Sequence, residues 1–189
     1  MEKSIQLQNM QHQFQYLDEG KFPKQDKKHE LGIEFLGKYL GFETDRPDNR
    51  YKTGPDVLWE LPENKFVLFE LKTNRTTGTY PKKDTGQFLD HIEWVKREKK
   101  INDEDILHQI IVGPHNRVNH DANPSDDMYI IELNEFKQFA EELINITSSC
   151  YSPSFTTTAQ VEQLISDNHL VWTERFDKMD KRKAIDLKD

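Results

Sequence analysis

One cysteine, Cys150, stands among 189 residues. No internal disulfide can form and no thiolate zinc site can be assembled, so neither device holds the fold together. Long apolar runs are missing as well: none approaches the roughly 20 residues of a membrane-spanning helix, and the opening MEKSIQLQNMQHQFQ has no secretory core. A cytoplasmic protein with no membrane partner is expected. Basic excess is absent too. The chain has 26 Lys and Arg against 34 Asp and Glu, a net charge of −8, which argues against a globally basic glove for nucleic acid. A local basic strip remains open, because affinity for phosphate depends on where charge sits rather than on its sum. Internal repeats are not found.

What the chain does contain is aromatic mass. Eleven Phe, six Tyr and three Trp argue for an ordered, packed chain even though 32% of residues are charged. The length predicts one domain with a substantial core. Residues 1–28 are rich in Gln and Lys, with Leu7, Met10, Phe14 and Leu17 at helical steps and a linker from Pro23. HELGIEFLGKYLG predicts a helix over 29–41 that ends at Gly41, and FETDRPDNRYKTGP reads as a polar connector. Asp56–Leu61 and Lys65–Lys72 read as strands, joined through Pro62, Glu63 and Asn64 into a hairpin. A basic loop leads to the helix GQFLDHIEWVKREKK, with Phe88, His91, Ile92 and Val95 on one side. His91 is expected to pack with Trp94. Two apolar strands follow, Ile106–Pro114 and MYIIEL, then a helix capped by Asn134 and a helical tail. The expectation is a mixed α/β sheet flanked by helices, divided into an N-terminal helical extension (1–28), a main domain (29–147) and a helical C-terminal extension (148–189).

Acid on the hairpin is the feature that asks for chemistry. Asp56 leads the first strand, and Glu70 interrupts the end of the second, fourteen positions later. Strand alternation sends Glu70 and Lys72 to one face and Phe69 and Leu71 to the other. Converging carboxylates repel unless a cation lies between them, and hard oxygen donors suit Mg²⁺. A lysine beside a metal-bound water can orient it, help deprotonate it or offset charge on phosphate. Taken alone, Glu-x-Lys is common on solvated strands; the combination with Pro55-Asp56 and the flanking helices gives it weight.

Pro55-Asp56 with Glu70-Leu71-Lys72 resembles the PD-(D/E)XK signature of the restriction-endonuclease-like nuclease superfamily. The order of elements over 29–145 is similar to that family's core, α-β-β-α-β-β. The wider context resembles a branch found beside DNA helicases and ATPases. The resemblance implies a Mg²⁺-dependent endonuclease acting on DNA in DNA processing or anti-phage defence, with Mn²⁺ able to substitute for Mg²⁺. It assigns Asp56, Glu70 and the Leu71 carbonyl to the metal and Lys72 to the attacking water. It adds a glutamate from the first helix, Glu30 or Glu34, which lie one turn apart; Glu30 is favoured. It places Gln87 near Lys72 or a substrate phosphate. Arg46, Arg50, Lys52, Arg75, Lys82 and Lys83 flank the acids in connectors and are candidates for phosphate contacts, as are the polar loop residues Thr73, Asn74, Thr76 and Thr77. A helicase or ATPase partner and a homodimer are expected from the same resemblance. Two other readings stay open: a nuclease-like module that binds or scaffolds without cutting, and RNA as substrate.

Overall fold

The computed structural model describes residues 2–75, 78–152, 154 and 156–188. Six strands form one mixed sheet in the order β1 (Glu43–Asp45), β2 (Val57–Leu61), β3 (Lys65–Leu71), β4 (Ile106–Val112), β5 (Met128–Ile131), β6 (Lys181–Lys183). The first three strands are antiparallel, β3, β4 and β5 run parallel, and β6 closes the far edge antiparallel. Among the described residues no helix is long and apolar enough to cross a membrane.

Alternation along the central strands builds a core on each face. Val57, Trp59, Val67, Phe69 and Leu71 point to one side, where they meet α1 (Glu2–Phe14), α2 (Asp26–Tyr39), α5 (Leu133–Cys150) and α7 (Trp172–Lys178). Leu58, Phe66, Leu68 and Ile111 point to the other and pack on Phe88, Ile92 and Val95 of α4 (Lys82–Lys99). Strands buried on both faces read as near-continuous apolar runs, as β3 and β4 do. The hairpin turn at Pro62–Asn64 puts Glu63 and Asn64 at positive φ, 62° and 58°. The N-terminal residues Met10, Phe14 and Leu17 are buried in the same core as Ile33 and Leu36 of α2.

Four elements differ from the sequence-based expectation. The polar connector holds β1 and a short helix, α3 (Pro47–Tyr51), started by Pro47 and stopped at Lys52 in the left-handed region. The tail holds α6 (Thr158–Asp167) and α7 but also β6, a Lys-Arg-Lys strand paired with β5. Neither edge strand carries an apolar alternation to announce it; each exists because its neighbour offers unpaired backbone groups. Helix α5 begins at Leu133, which is buried in its first turn, so the N-cap position falls on Glu132, without a side-chain capping hydrogen bond, rather than on Asn134.

Trp59 shows how tightly the first core is fitted. Its indole N–H donates to the Ile33 carbonyl at 3.1 Å, and a Cβ placed on Gly37 would come within 2.5 Å of that nitrogen. Gly37→Ala is therefore expected to destabilise the protein by about 2–3 kcal/mol through overpacking, measured by urea unfolding; an unchanged midpoint would show the indole can yield.

Candidate functional site

The hairpin register sets Val57 opposite Phe69, which brings Asp56 and Glu70 together at one end of the sheet. Asp56 stands just before β2 and its Oδ2 accepts the Leu71 backbone N–H at 2.8 Å. Glu70 is 1% exposed. Its Oε1 accepts from the Lys72 ammonium at 2.9 Å and its Oε2 from His91 Nδ1 at 3.0 Å. Phe69 and Leu71 turn into the opposite core, as strand alternation requires.

The two acids are driven apart in proton affinity. Burial, reinforced by the nearby charges of Glu70 and Glu30, pushes the Asp56 carboxyl up to about 7. Burial acts against ionised Glu70 as well, but the hydrogen bond from His91 and the Lys72 charge more than offset it, and Glu70 is held below its ordinary value. For Lys72 the loss of hydration is outweighed by Glu70 and Asp56, so its pKa is raised and it remains an ammonium at neutral pH. In this arrangement Lys72 can donate hydrogen bonds and stabilise negative charge, while Asp56 is the group poised to exchange a proton near neutrality.

Helix α2 supplies the third acid. Glu30 is 1% exposed and bound by Arg46 Nη2 at 2.5 Å and Lys27 Nζ at 2.9 Å. Lys27 also reaches Asp48 at 3.3 Å and Asp56 at 3.8 Å, linking Glu30 to the hairpin acids. Glu34 pairs with Lys38 at 2.6 Å and lies 4.0 Å from Arg46 Nε, so Glu30 is the helical acid beside Asp56. Removing the arginine leaves a buried carboxylate short of a partner. Arg46→Met is expected to cost about 3 kcal/mol in unfolding free energy; a loss below half of that would mean Lys27 alone suffices.

The remaining sequence candidates divide. Gln87 is exposed on α4 and makes no hydrogen bond to Lys72 or Glu70 among the described residues. His91, expected to pack on Trp94, is instead a direct partner of Glu70. A polar residue on the apolar side of α4 was the signal for it; its partner lies on a strand 21 positions away, which no local pattern reveals. Lys27, in the stretch read as a linker, carried no such signal. Arg75 is committed to Asp84, with Nη2 donating to Oδ1 at 2.9 Å, and Arg46 to Glu30. Arg50 and Lys52 are exposed, near Asp45 and the Asn49 carbonyl respectively, and Lys82 and Lys83 are exposed at the start of α4. The Asn74 side chain is exposed while its N–H binds Asp26. Thr76 and Thr77 lie outside the described residues.

Among the described residues, no group of three or more His, Cys, Asp or Glu side chains is gathered so as to hold a metal ion. The hard oxygen donors at this end of the hairpin are the Asp56 and Glu70 carboxylates, which also accept hydrogen bonds from the Leu71 N–H, Lys72 and His91. That set fits Mg²⁺, which takes one or two carboxylates, keeps several waters and engages phosphate oxygens. The raised pKa of Asp56 marks a buried carboxylate short of positive charge, which a divalent cation would supply. No family model, curated protein or solved structure matches the chain.

Proposed function

We propose that the chain is a Mg²⁺-dependent nuclease of restriction-endonuclease-like fold that hydrolyses phosphodiester bonds of DNA. The observation that carries this reading is the pair of buried acids at the end of the hairpin, split in proton affinity, with an ammonium two residues along the strand. The order α2, β2, β3, α4, β4, β5 supports the fold assignment.

Asp56, Glu70 and the Leu71 carbonyl would hold the ion, which when bound supplies Lewis-acid stabilisation of the phosphate and a more acidic water. The Leu71 N–H keeps Asp56 oriented. His91 fixes Glu70 from the α4 side and Lys72 from the solvent side. Lys72 donates toward the water or a non-bridging phosphate oxygen, where negative charge grows. Glu30, neutralised by Arg46 and Lys27, bounds the site on the α2 side. Arg50, Lys52, Lys82 and Lys83 are the exposed cations left to meet backbone phosphates.

A second reading, a nuclease-like module that binds or scaffolds without cutting, is favoured by one feature. Both Glu70 oxygens are already taken by Lys72 and His91, and two of the expected phosphate-binding arginines are tied to internal acids. A homodimer, or a helicase or ATPase partner, would add the positive surface that a net charge of −8 withholds. The deciding experiment incubates the protein with plasmid, linear duplex, single-stranded DNA and RNA, with Mg²⁺, Mn²⁺ or chelator. Metal-dependent cutting of DNA is expected. Cutting confined to RNA would change the substrate, and Mn²⁺ binding without cutting of any substrate would favour the scaffold.

A further inference from the structure

The segment after β3 is tied to the first turn of α2 by a partly buried hydrogen-bond chain that the proposed chemistry does not use. The Thr73 hydroxyl donates to Asp26 Oδ1 at 2.5 Å, and the same oxygen accepts the Asn74 backbone N–H at 2.9 Å. His29 Nδ1 lies 2.5 Å from the Thr73 oxygen. A threonine hydroxyl has one hydrogen to give. With that hydrogen committed to Asp26, the oxygen accepts from His29, which sets the ring as the Nδ1–H tautomer. The Phe22 backbone also acts on the ring through a hydrogen bond. His29 and Thr73 are 0% and 3% exposed, and burial keeps the ring's pKa below its ordinary value. A hydrogen-bond chain that joins side chains 44 positions apart, with His29 and Thr73 both buried, calls for an explanation beyond packing.

The explanation lies in the neighbours. Thr73 follows Lys72, His29 precedes Glu30 and Asp26 precedes Lys27. The Lys72 backbone is held as well: its N–H donates to the Val112 carbonyl at 2.9 Å, and its own carbonyl accepts the Arg75 N–H at 3.1 Å. Gly113 leaves room for it, since a Cβ there would lie 3.0 Å from the Lys72 carbonyl oxygen. The chain is therefore a polar connection between the segment after β3 that carries the ammonium and the helix turn that carries the third acid, beside the apolar packing of α2 on β3 and the ion pairs of the site.

We propose that Asp26, Thr73 and His29 form a clamp that fixes Lys72, next to Thr73 in the chain, relative to the turn of α2 that carries Glu30, which makes Thr73 and His29 positioning residues. The inference rests on the nuclease reading of the site. The test compares the full-length parent with Thr73→Val, which keeps the shape but loses the hydroxyl, and Thr73→Ser, which restores it. Misplacement of a reacting group by about 1 Å costs on the order of 100-fold in rate. Thr73→Val is accordingly expected to lower kcat by about 30–100-fold with KM within about threefold, and Thr73→Ser to recover most of the rate. Nitrogen-15 spectra should show His29 protonated at Nδ1 in the parent and the serine variant, and released from that tautomer in the valine variant. The Lys72 side-chain resonances should move in Thr73→Val and return in Thr73→Ser. If Thr73→Val does not fold, Asp26→Ala, less buried and the acceptor of both bonds, takes its place with the same expectations.

A valine variant that cuts at the parent's rate, a serine variant as slow as valine, or a parent His29 protonated at Nε2 overturns the clamp. A parent that cuts no nucleic acid defeats the nuclease reading separately. In that case the Lys72 resonances decide: unmoved in Thr73→Val, they overturn the clamp too.

Discussion

Lys72→Ala is expected to cut DNA about a thousandfold more slowly than the parent while remaining folded. Lys72 is the only ammonium in contact with Glu70 among the described residues, and its raised pKa keeps it charged through the neutral range. A donor aimed at developing negative charge in a poorly hydrated site is worth about 10²–10³ in rate, and proton management adds a similar factor where one group serves both ends. The loss should fall on kcat and on kcat/KM alike, because the interaction tightens as charge develops on the phosphate. The structural cost is smaller. Glu70 keeps its bond to His91, so losing one charge-assisted hydrogen bond should cost about 2 kcal/mol, or roughly 4–8 °C in Tm for a chain of this size. Circular dichroism and a single-turnover assay on one preparation separate the two. A variant cutting within tenfold of the parent would remove Lys72 from the chemistry.

Asp56→Asn is expected to do the opposite to stability and the same to activity. In the folded protein Asp56 is pushed up to about 7 from an ordinary 3.8, first by burial and then by Glu70 and Glu30. The native state thus binds the Asp56 proton more tightly than the unfolded chain does, and the parent loses stability as pH rises from about 4 to about 7. Above that window the full penalty stands. Asparagine preserves the shape and can still accept the Leu71 N–H, but carries no charge to bury. The variant should therefore be more stable than the parent at pH 8 in chelator, by on the order of 2–4 kcal/mol, with the gain shrinking below pH 5 as the parent becomes protonated. Added Mg²⁺ should raise the parent's Tm and leave the variant's where it was, since only a ligand that binds the native state stabilises it. Cleavage should be lost. An Asp56→Asn protein that melts below the parent at pH 8 would show that the carboxylate is adequately solvated or paired, and would sink the metal-site argument with it.

Asp56 and Glu70 illustrate how much of the site was legible beforehand. Their separation along a hairpin and the alternation of Phe69, Glu70, Leu71 and Lys72 are backbone-level facts, and the observed register reproduces them. The central elements were legible for the same reason: β3, β4, α4 and α5 carry enough apolar residues at period 2 or 3.6 to declare themselves. His91, Lys27 and the commitment of Arg46 and Arg75 were not. Each is an ion pair or hydrogen bond between elements distant in the chain, and sequence spacing carries no information about which acid a basic side chain will find.

The sequence by itself determined a mixed α/β sheet and a hairpin with two acids and a lysine at one end, because these follow from local periodicity, turn chemistry and the two-residue repeat of a strand. Only the tertiary structure decided how those charges are balanced. It set Glu30 rather than Glu34 beside Asp56, lifted Asp56 while lowering Glu70, and recruited the edge strands β1 and β6. The physical reason is common to all three: burial and long-range pairing set proton affinity and edge pairing, and both exist only once the chain has closed on itself.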